Sequence, residues 1–283
     1  MALSSATVWE CRATATAGCL NGGGYNSVRA GAVVDYSQQD TAHLSITDLQ
    51  SDAADNTQVH SDLTPFDNSD IGNILHITAT GTGFTVGWFE IIAVAGGIAV
   101  LDRSCGGTGL TGGTAYLGGA LSLGSTLDND FFIAIVSGNV VWIKNGSYTL
   151  GESVSMPSSG TITSPKIIRG YDATRGDNPI GSDRPIIDCG TSYAFTLGYY
   201  SDARNLIFTG STSNVFITGY GSRIRNCKAI NNSTTAGRSA FYFSNTYLQL
   251  IDCEAISYRG YAIYALGGVP QGILNCYCHD SNN

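Results

Sequence analysis

The sequence predicts an all-β protein, a small N-terminal β-domain followed by a parallel β-helix with a short capping helix. Three observations predict it. Segments near the C-terminus are copies of one another, IRNCKAINN from Ile224, LIDCEAISY from Leu250 and ILNCYCHDS from Ile273. A short strand that recurs every few tens of residues buries its apolar positions by stacking copy on copy. Aligning the copies gives a ladder of Cys189, Thr209, Cys227, Cys253 and Cys276, preceded by Asp188, Phe208, Asn226, Asp252 and Asn275. A second register advances in step, in AFT from Ala194, VFI from Val215, AFY from Ala240 and AIY from Ala262. Finally, β-branched residues, Gly, Ser, Thr, Asn and Tyr dominate, charged residues are only 13%, and sustained helical periodicity is missing. An antiparallel sandwich is the alternative, but its hairpin strands need not repeat one residue type at one offset.

The elements follow in order. Residues 1 to about 35 are glycine-rich, with NGGGYN at Asn21 as a turn signal, and suit an arm or docking segment. In YSQQDTAHLSITDL from Tyr36, the apolar spacing fits either a strand or a short helix. ILHITA, GWFEIIAV and IAVLDR are β-rich, and Gly96-Gly97 between the last two signals a two-residue hairpin. The glycine-dense run from Cys105 to Gly119 reads as a connection, placing a boundary between residues 1–117 and 118–283. Leu121, Leu127, Phe131, Phe132 and Ile135 then fit a short amphipathic helix suited to cap a stack. NVVWIKNGSYTL, KIIRGYD and PIIDCG are expected to be the first coils. The chain stops at CHDSNN within a repeat, so either a longer polypeptide or a partner is expected to cover the last coil.

The 283-residue chain carries a net charge of −8, with a pI near 4.8. That field repels a phosphate backbone, which argues against nucleic acid as a partner. MALSSATVWECR lacks the basic and apolar segments of a signal peptide, and no apolar run is long enough to span a bilayer. Folding in a cytosol is therefore expected, where disulfides are disfavoured and ladder cysteines act as small buried apolar side chains. Cys11 and Cys19 bracket a turn and can pair only in an oxidising medium. Cys276 and Cys278 share one side of a strand, but no further His or Cys pair completes a zinc spacing, so no metal or cofactor is implied.

Several stretches carry a resemblance. SSATVWECRATATAGCLNGGGYN, DYSQQDTAHLSITDL, IGNILHITATGTGFTVGWFEI with the following VLDR, and GNVVWIKNGSYTL resemble phage-encoded parallel β-helix proteins. The likeness spans most of residues 1 to 170 and continues as repeat character. It implies a right-handed, single-stranded, pectate-lyase-like solenoid in a homotrimeric virion protein, a tailspike, fibre or capsid-decorating spike. The N-terminal region would dock on capsid or tail proteins. Assembly would take place in the host cytoplasm. Many such proteins bind or cleave host surface polysaccharide, so a depolymerase is the alternative function.

Catalysis of that kind needs carboxylates, with a basic residue for lyase chemistry. Asp252 and Glu254, near Lys228, Arg225 and Arg259, are the candidates. Set two apart on one strand, they would share an outward face with Cα atoms about 6.6 Å apart, within the range of glycosidase pairs. The competing expectation is an ordinary solvated face on which Lys228 pairs with Glu254 across one coil. The histidines, His43, His60, His76 and His279, are scattered, and nucleophile-elbow and phosphate-loop patterns are missing. Tyrosines crowd the solenoid half. Tyr242, Tyr258, Tyr264 and Tyr277 are candidates for binding sugar rings, against the alternative of subunit contacts.

Overall fold

The structure is a computed structural model that describes residues 8–14, 44–71, 73–78, 83–118, 121–127, 129–156, 160–173, 176–210, 214–243, 247–266 and 272–280. It divides into two compact units, one of Met1–Glu10 and Ala15–Leu123, the other of Cys11–Thr14 and Gly124–Asn283. The predicted arm falls largely outside the described residues, as does Cys19.

The first unit contains a closed antiparallel barrel. Its strands run in the order Leu44–Ser51, Gln58–His60, Ile98–Leu101, Gly87–Ala95, Ile74–Ile77 and Gly113–Gly118, and the last pairs back onto the first. Strand alternation sends Ile46, Leu49, Val59, Phe89, Ala99 and Leu117 into one buried cluster. Gly96 and Gly97 turn the expected hairpin with φ of 59° and 85°, the pair of left-handed residues that matches strand twist. From Leu44 onward, the ambiguous YSQQDTAHLSITDL segment is a strand. The glycine-dense run is not simply a connection, because Gly113–Gly118 closes the barrel. Glycine is needed at its start because a Cβ on Gly113 would lie 2.6 Å from the Phe84 ring.

The second unit is a parallel β-solenoid of about five turns. One sheet stacks Val140–Lys144, Lys166–Tyr171, Ser201–Arg204, Arg223–Arg225, Gln249–Ile251 and Gly272–Leu274. A second stacks Thr126–Leu127, Ser147–Leu150, Ile186–Asp188, Ile207–Gly210, Lys228–Asn231, Glu254–Ser257 and Tyr277–Asp280. The third contains Val154–Ser155, Phe195–Thr196, Phe216–Thr218, Ser239–Phe243 and Tyr261–Ala265.

The register of the third sheet agrees with the sequence. Phe195, Phe216, Phe241 and Ile263 are direct partners, which aligns Ala194, Val215, Ala240 and Ala262 one residue earlier. The cysteine ladder needs correction. Cys227, Cys253 and Cys276 do share a row, fixed by the partners Lys228, Glu254 and Tyr277 that follow them. The preceding coils, however, place Leu206 and Pro185 in that row, and Cys189 sits beside Gly210 instead. Leucine fills the inward position as well as cysteine does, so residue identity misaligned these coils.

Aromatic rings fill the interior. Phe208 stacks on Phe216 at 4.2 Å, Phe195 lies 5.3 Å from Phe208, and Phe216 meets Phe241 edge-on at 5.8 Å. The expected capping helix is shorter than its apolar pattern suggested: it is Asn129–Ala134, with Phe131 and Phe132 buried and Phe132 edge-on to Phe195 at 5.3 Å, whereas Leu121 and Leu127 lie in the strands Leu121–Leu123 and Thr126–Leu127. Burial pushes the thiols of Cys189 and Cys227 up to about 12, as befits inert spacers. Another inward row is polar. Lys166 follows Asn139 in it and precedes Ser201 and Ser222, as the pairings of their neighbours fix. Lys166 is fully buried, and its ammonium has no hydrogen-bond partner among the described residues. Desolvation lowers its pKa to about 8.

The corner between the first and second sheets has its own ladder. Asn205, Asn226, Asp252 and Asn275 all take left-handed backbone, with φ between 47° and 58°. Asparagine and aspartate tolerate that conformation better than other residues bearing a side chain. Asn226 Nδ2 donates to Asn205 Oδ1 and to the Pro179 carbonyl, each at 2.9 Å. Asn275 Nδ2 donates to Asp252 Oδ1 at 2.6 Å.

Candidate functional site

Asp252 and Glu254 do not lie on one strand. The left-handed turn at Asp252 separates Gln249–Ile251 from Glu254–Ser257, so the extended-strand geometry expected from the sequence does not apply. Asp252 is exposed at the corner, where it accepts from Asn275. Glu254 opens the next strand and meets Lys228 Nζ at 3.0 Å and His279 Nε2 at 3.3 Å. Although partial burial opposes ionisation, the hydrogen bonds and charges of Lys228 and His279 hold its carboxyl below the ordinary range. A carboxylate stabilised in this way is poorly suited to donate a proton at neutral pH. Lys228 and Glu254 are direct cross-strand partners, the one-coil pair expected of a solvated face. Both carboxylates nevertheless border an open polar groove with Arg184, Asn226, Asn275 and Tyr277.

The four candidate tyrosines divide among different places. Tyr242 and Tyr264 are partners on the outward side of the third sheet, with stacked rings 5.5 Å apart. Tyr277 belongs to the second sheet, is 65% exposed, and lies 4.9 Å from the His279 ring. Tyr258 lies just past the end of Glu254–Ser257. Together they do not form one site.

A better-formed aromatic surface lies where the chain turns into the first sheet. Tyr200, Tyr220 and Tyr247 come from three successive coils, with ring centroids 5.4 and 5.3 Å apart in edge-to-face contact. They line a groove of about 340 Å³ with Ile162, Arg223 and Gln249. Tyr200 and Tyr247 hold left-handed backbone, with φ of 51° and 60°. Such a conformation costs a tyrosine roughly 1–2 kcal/mol, and retaining it twice at one corner marks the position as constrained. In the middle coil the left-handed position passes to Gly221, φ 70°, where a Cβ would lie 2.6 Å from the Tyr200 ring. The glycine therefore lets the rings pack. Desolvation, with the neighbouring Tyr200 phenol, raises the pKa of the Tyr220 hydroxyl and keeps it a neutral donor.

This surface offers flat apolar ring faces and phenolic hydroxyls that recur from coil to coil, beside one guanidinium and one amide. Its residues were visible in the sequence only as part of the tyrosine enrichment. The signal that picks them out is a tyrosine just before an inward small or apolar residue, in Tyr200-Ser201 and Tyr247-Leu248. Among the described residues, no group of three or more His, Cys, Asp or Glu side chains is arranged to hold a metal. Comparison of the chain with protein-family models, curated proteins and solved structures returned no match.

Proposed function

We propose that the chain is a structural and attachment protein of a phage particle, a homotrimeric tailspike, fibre or capsid-decorating spike that engages host surface glycans through its solenoid. The observation that carries the glycan part is the Tyr200–Tyr220–Tyr247 groove. Its rings repeat once per coil beside polar side chains, the combination that suits sugar rings. The solenoid supports a spike role because its coils are joined by continuous parallel ladders, with buried aromatics bracing the coils from Tyr148 to Phe243. The virion setting and N-terminal docking rest on the resemblance of residues 1 to 170.

Imaging of labelled particles tests the virion part. Stoichiometric trimers on a capsid or tail are the expected result, and a stable monomer that associates with no particle would overturn it. The second reading, a polysaccharide depolymerase, draws on the polar groove that holds Asp252 and Glu254. Incubation with host envelope polysaccharide should release no new reducing ends. Release that disappears in Asp252→Ala and Glu254→Ala would establish the enzyme instead.

A further inference from the structure

The first sheet concentrates positive charge on its outward side. Trp142, Arg169, Arg204 and Arg225 are successive direct partners in one row, and Arg223 follows Asp202 in the row beside it. Four arginines thus occupy three adjacent coils of a chain that has 14 basic residues and a net charge of −8. Asp202 makes direct hydrogen bonds to only one of them, a two-pronged contact with Arg204 at 2.7 Å for both bonds, and acts on Arg169 from a distance. Arg169, Arg223 and Arg225 have no carboxylate partner among the described residues. The buried Nε atoms of Arg169 and Arg225 also have no hydrogen-bond acceptor. Arg169 lies over the Trp142 ring at 5.5 Å, which braces the guanidinium without cancelling its charge.

Such a column is electrostatically unfavourable unless something anionic completes it. Arg169 feels its surroundings in this order: desolvation lowers its pKa most, Arg204 lowers it further, and Asp202 partly opposes both. Arginine forks also match carboxylate and sulfate geometry. The arginine-bearing face borders the tyrosine groove, because Arg223, in the row beside the column, lines that groove with Tyr220 and Tyr247. Successive coils are about 4.8 Å apart, close to the advance of one sugar ring along an extended glycan.

We propose that this face binds a linear acidic polysaccharide. Sugar rings would lie on Tyr200, Tyr220 and Tyr247, with carboxylate or sulfate groups held by Arg223, Arg225 and Arg169. The inference deepens the glycan-attachment reading and rests on it. A polyanion of the nucleic-acid kind is disfavoured, because its uniform charge would meet the acidic remainder of the chain without using the aromatic groove.

The test uses the full chain, with retention on immobilised hyaluronate, heparin, neutral dextran and duplex DNA measured at several salt concentrations. Circular dichroism and a thermal melt on each variant confirm folding. The expected result is retention on hyaluronate or heparin and little on dextran or DNA. Affinity should fall at least tenfold in Arg223→Gln/Arg225→Gln, fall also in Tyr247→Ala, and be unchanged in Arg238→Gln, an exposed arginine just before the third-sheet strand Ser239–Phe243. Equal retention on dextran and the acidic glycans would overturn the anion preference while leaving glycan attachment intact. Retention on neither kind of glycan would overturn both, and tighter retention on DNA would overturn the ligand class. Acidic-glycan binding that survives folded Arg223→Gln/Arg225→Gln would overturn the site.

Discussion

The barrel and the solenoid bury their strands by opposite means. In the barrel, six unlike antiparallel strands close on one another, and each inward side chain meets different neighbours. In the solenoid, parallel strands meet their own counterparts, so a phenylalanine stacks near a phenylalanine and an asparagine bonds an asparagine. Closure demands complementarity, whereas stacking demands repetition. A residue that fits one coil is therefore repeated through several, and so is the effect of a residue that does not fit.

The sharpest way to break the comparison is to remove a ring from each interior. Phe216→Ala removes contacts with Phe195, Phe208 and Phe241 and is expected to destabilise the solenoid by roughly 3–5 kcal/mol. Phe89→Ala should cost the barrel a similar amount. Calorimetry should show each variant shifting a different transition, and a single transition moved by both would show that the units melt together.

The buried Lys166 gives the next largest effect. Its folded pKa of about 8 lies below the ordinary 10.5. As pH falls from 10.5 towards 8, the unfolded chain takes up a proton that the folded chain refuses, so this group's contribution to stability decreases and then levels off below 8. The full difference is up to about 3 kcal/mol. Lys166→Met should therefore raise the urea midpoint at pH 7 and have little effect at pH 11. An unchanged midpoint at pH 7 would mean that the ammonium is solvated.

Asn226→Ala removes two hydrogen bonds at a left-handed corner and is expected to cost about 1–3 kcal/mol, with Asn226→Gly recovering part of the loss. Equal losses would assign the effect to the hydrogen bonds alone. Smallest is the half-buried Lys228–Glu254 pair. Lys228→Gln should cost less than about 1 kcal/mol. Because the Glu254 pKa is lowered in the fold, its stabilisation is present above the ordinary value and disappears as pH falls through the folded one. The wild type and Lys228→Gln should thus converge in acid melts, and a gap that widens there would contradict the pairing.

How much of this was legible in the sequence follows from the same contrast. The Ala-Phe register of the third sheet could be read directly, because large aromatic rings tolerate few substitutes in a stacked column. The cysteine ladder was only half legible, since Leu206 and Pro185 occupy the same row without resembling cysteine. The barrel strand Gly113–Gly118 was hidden by its glycines, which usually mark loops and here permit close packing against Phe84. The carboxylate pair looked better in sequence than in space because two-residue spacing assumes an unbroken strand, and Asp252 breaks it. The arginine column escaped notice because Arg169, Arg204 and Arg225 are separated by 35 and then 21 positions, and only the register aligns them.

The register also defines a unit of exchange. Asp202 and Arg223 are partners 21 residues apart, so excising residues 202–222 would join Ser201 to Arg223 without shifting which side chains face inward. A chain built this way can change its length by whole coils through recombination. Each such event would add or remove one step of the arginine and tyrosine columns together, altering reach and avidity in fixed increments while the fold stays the same.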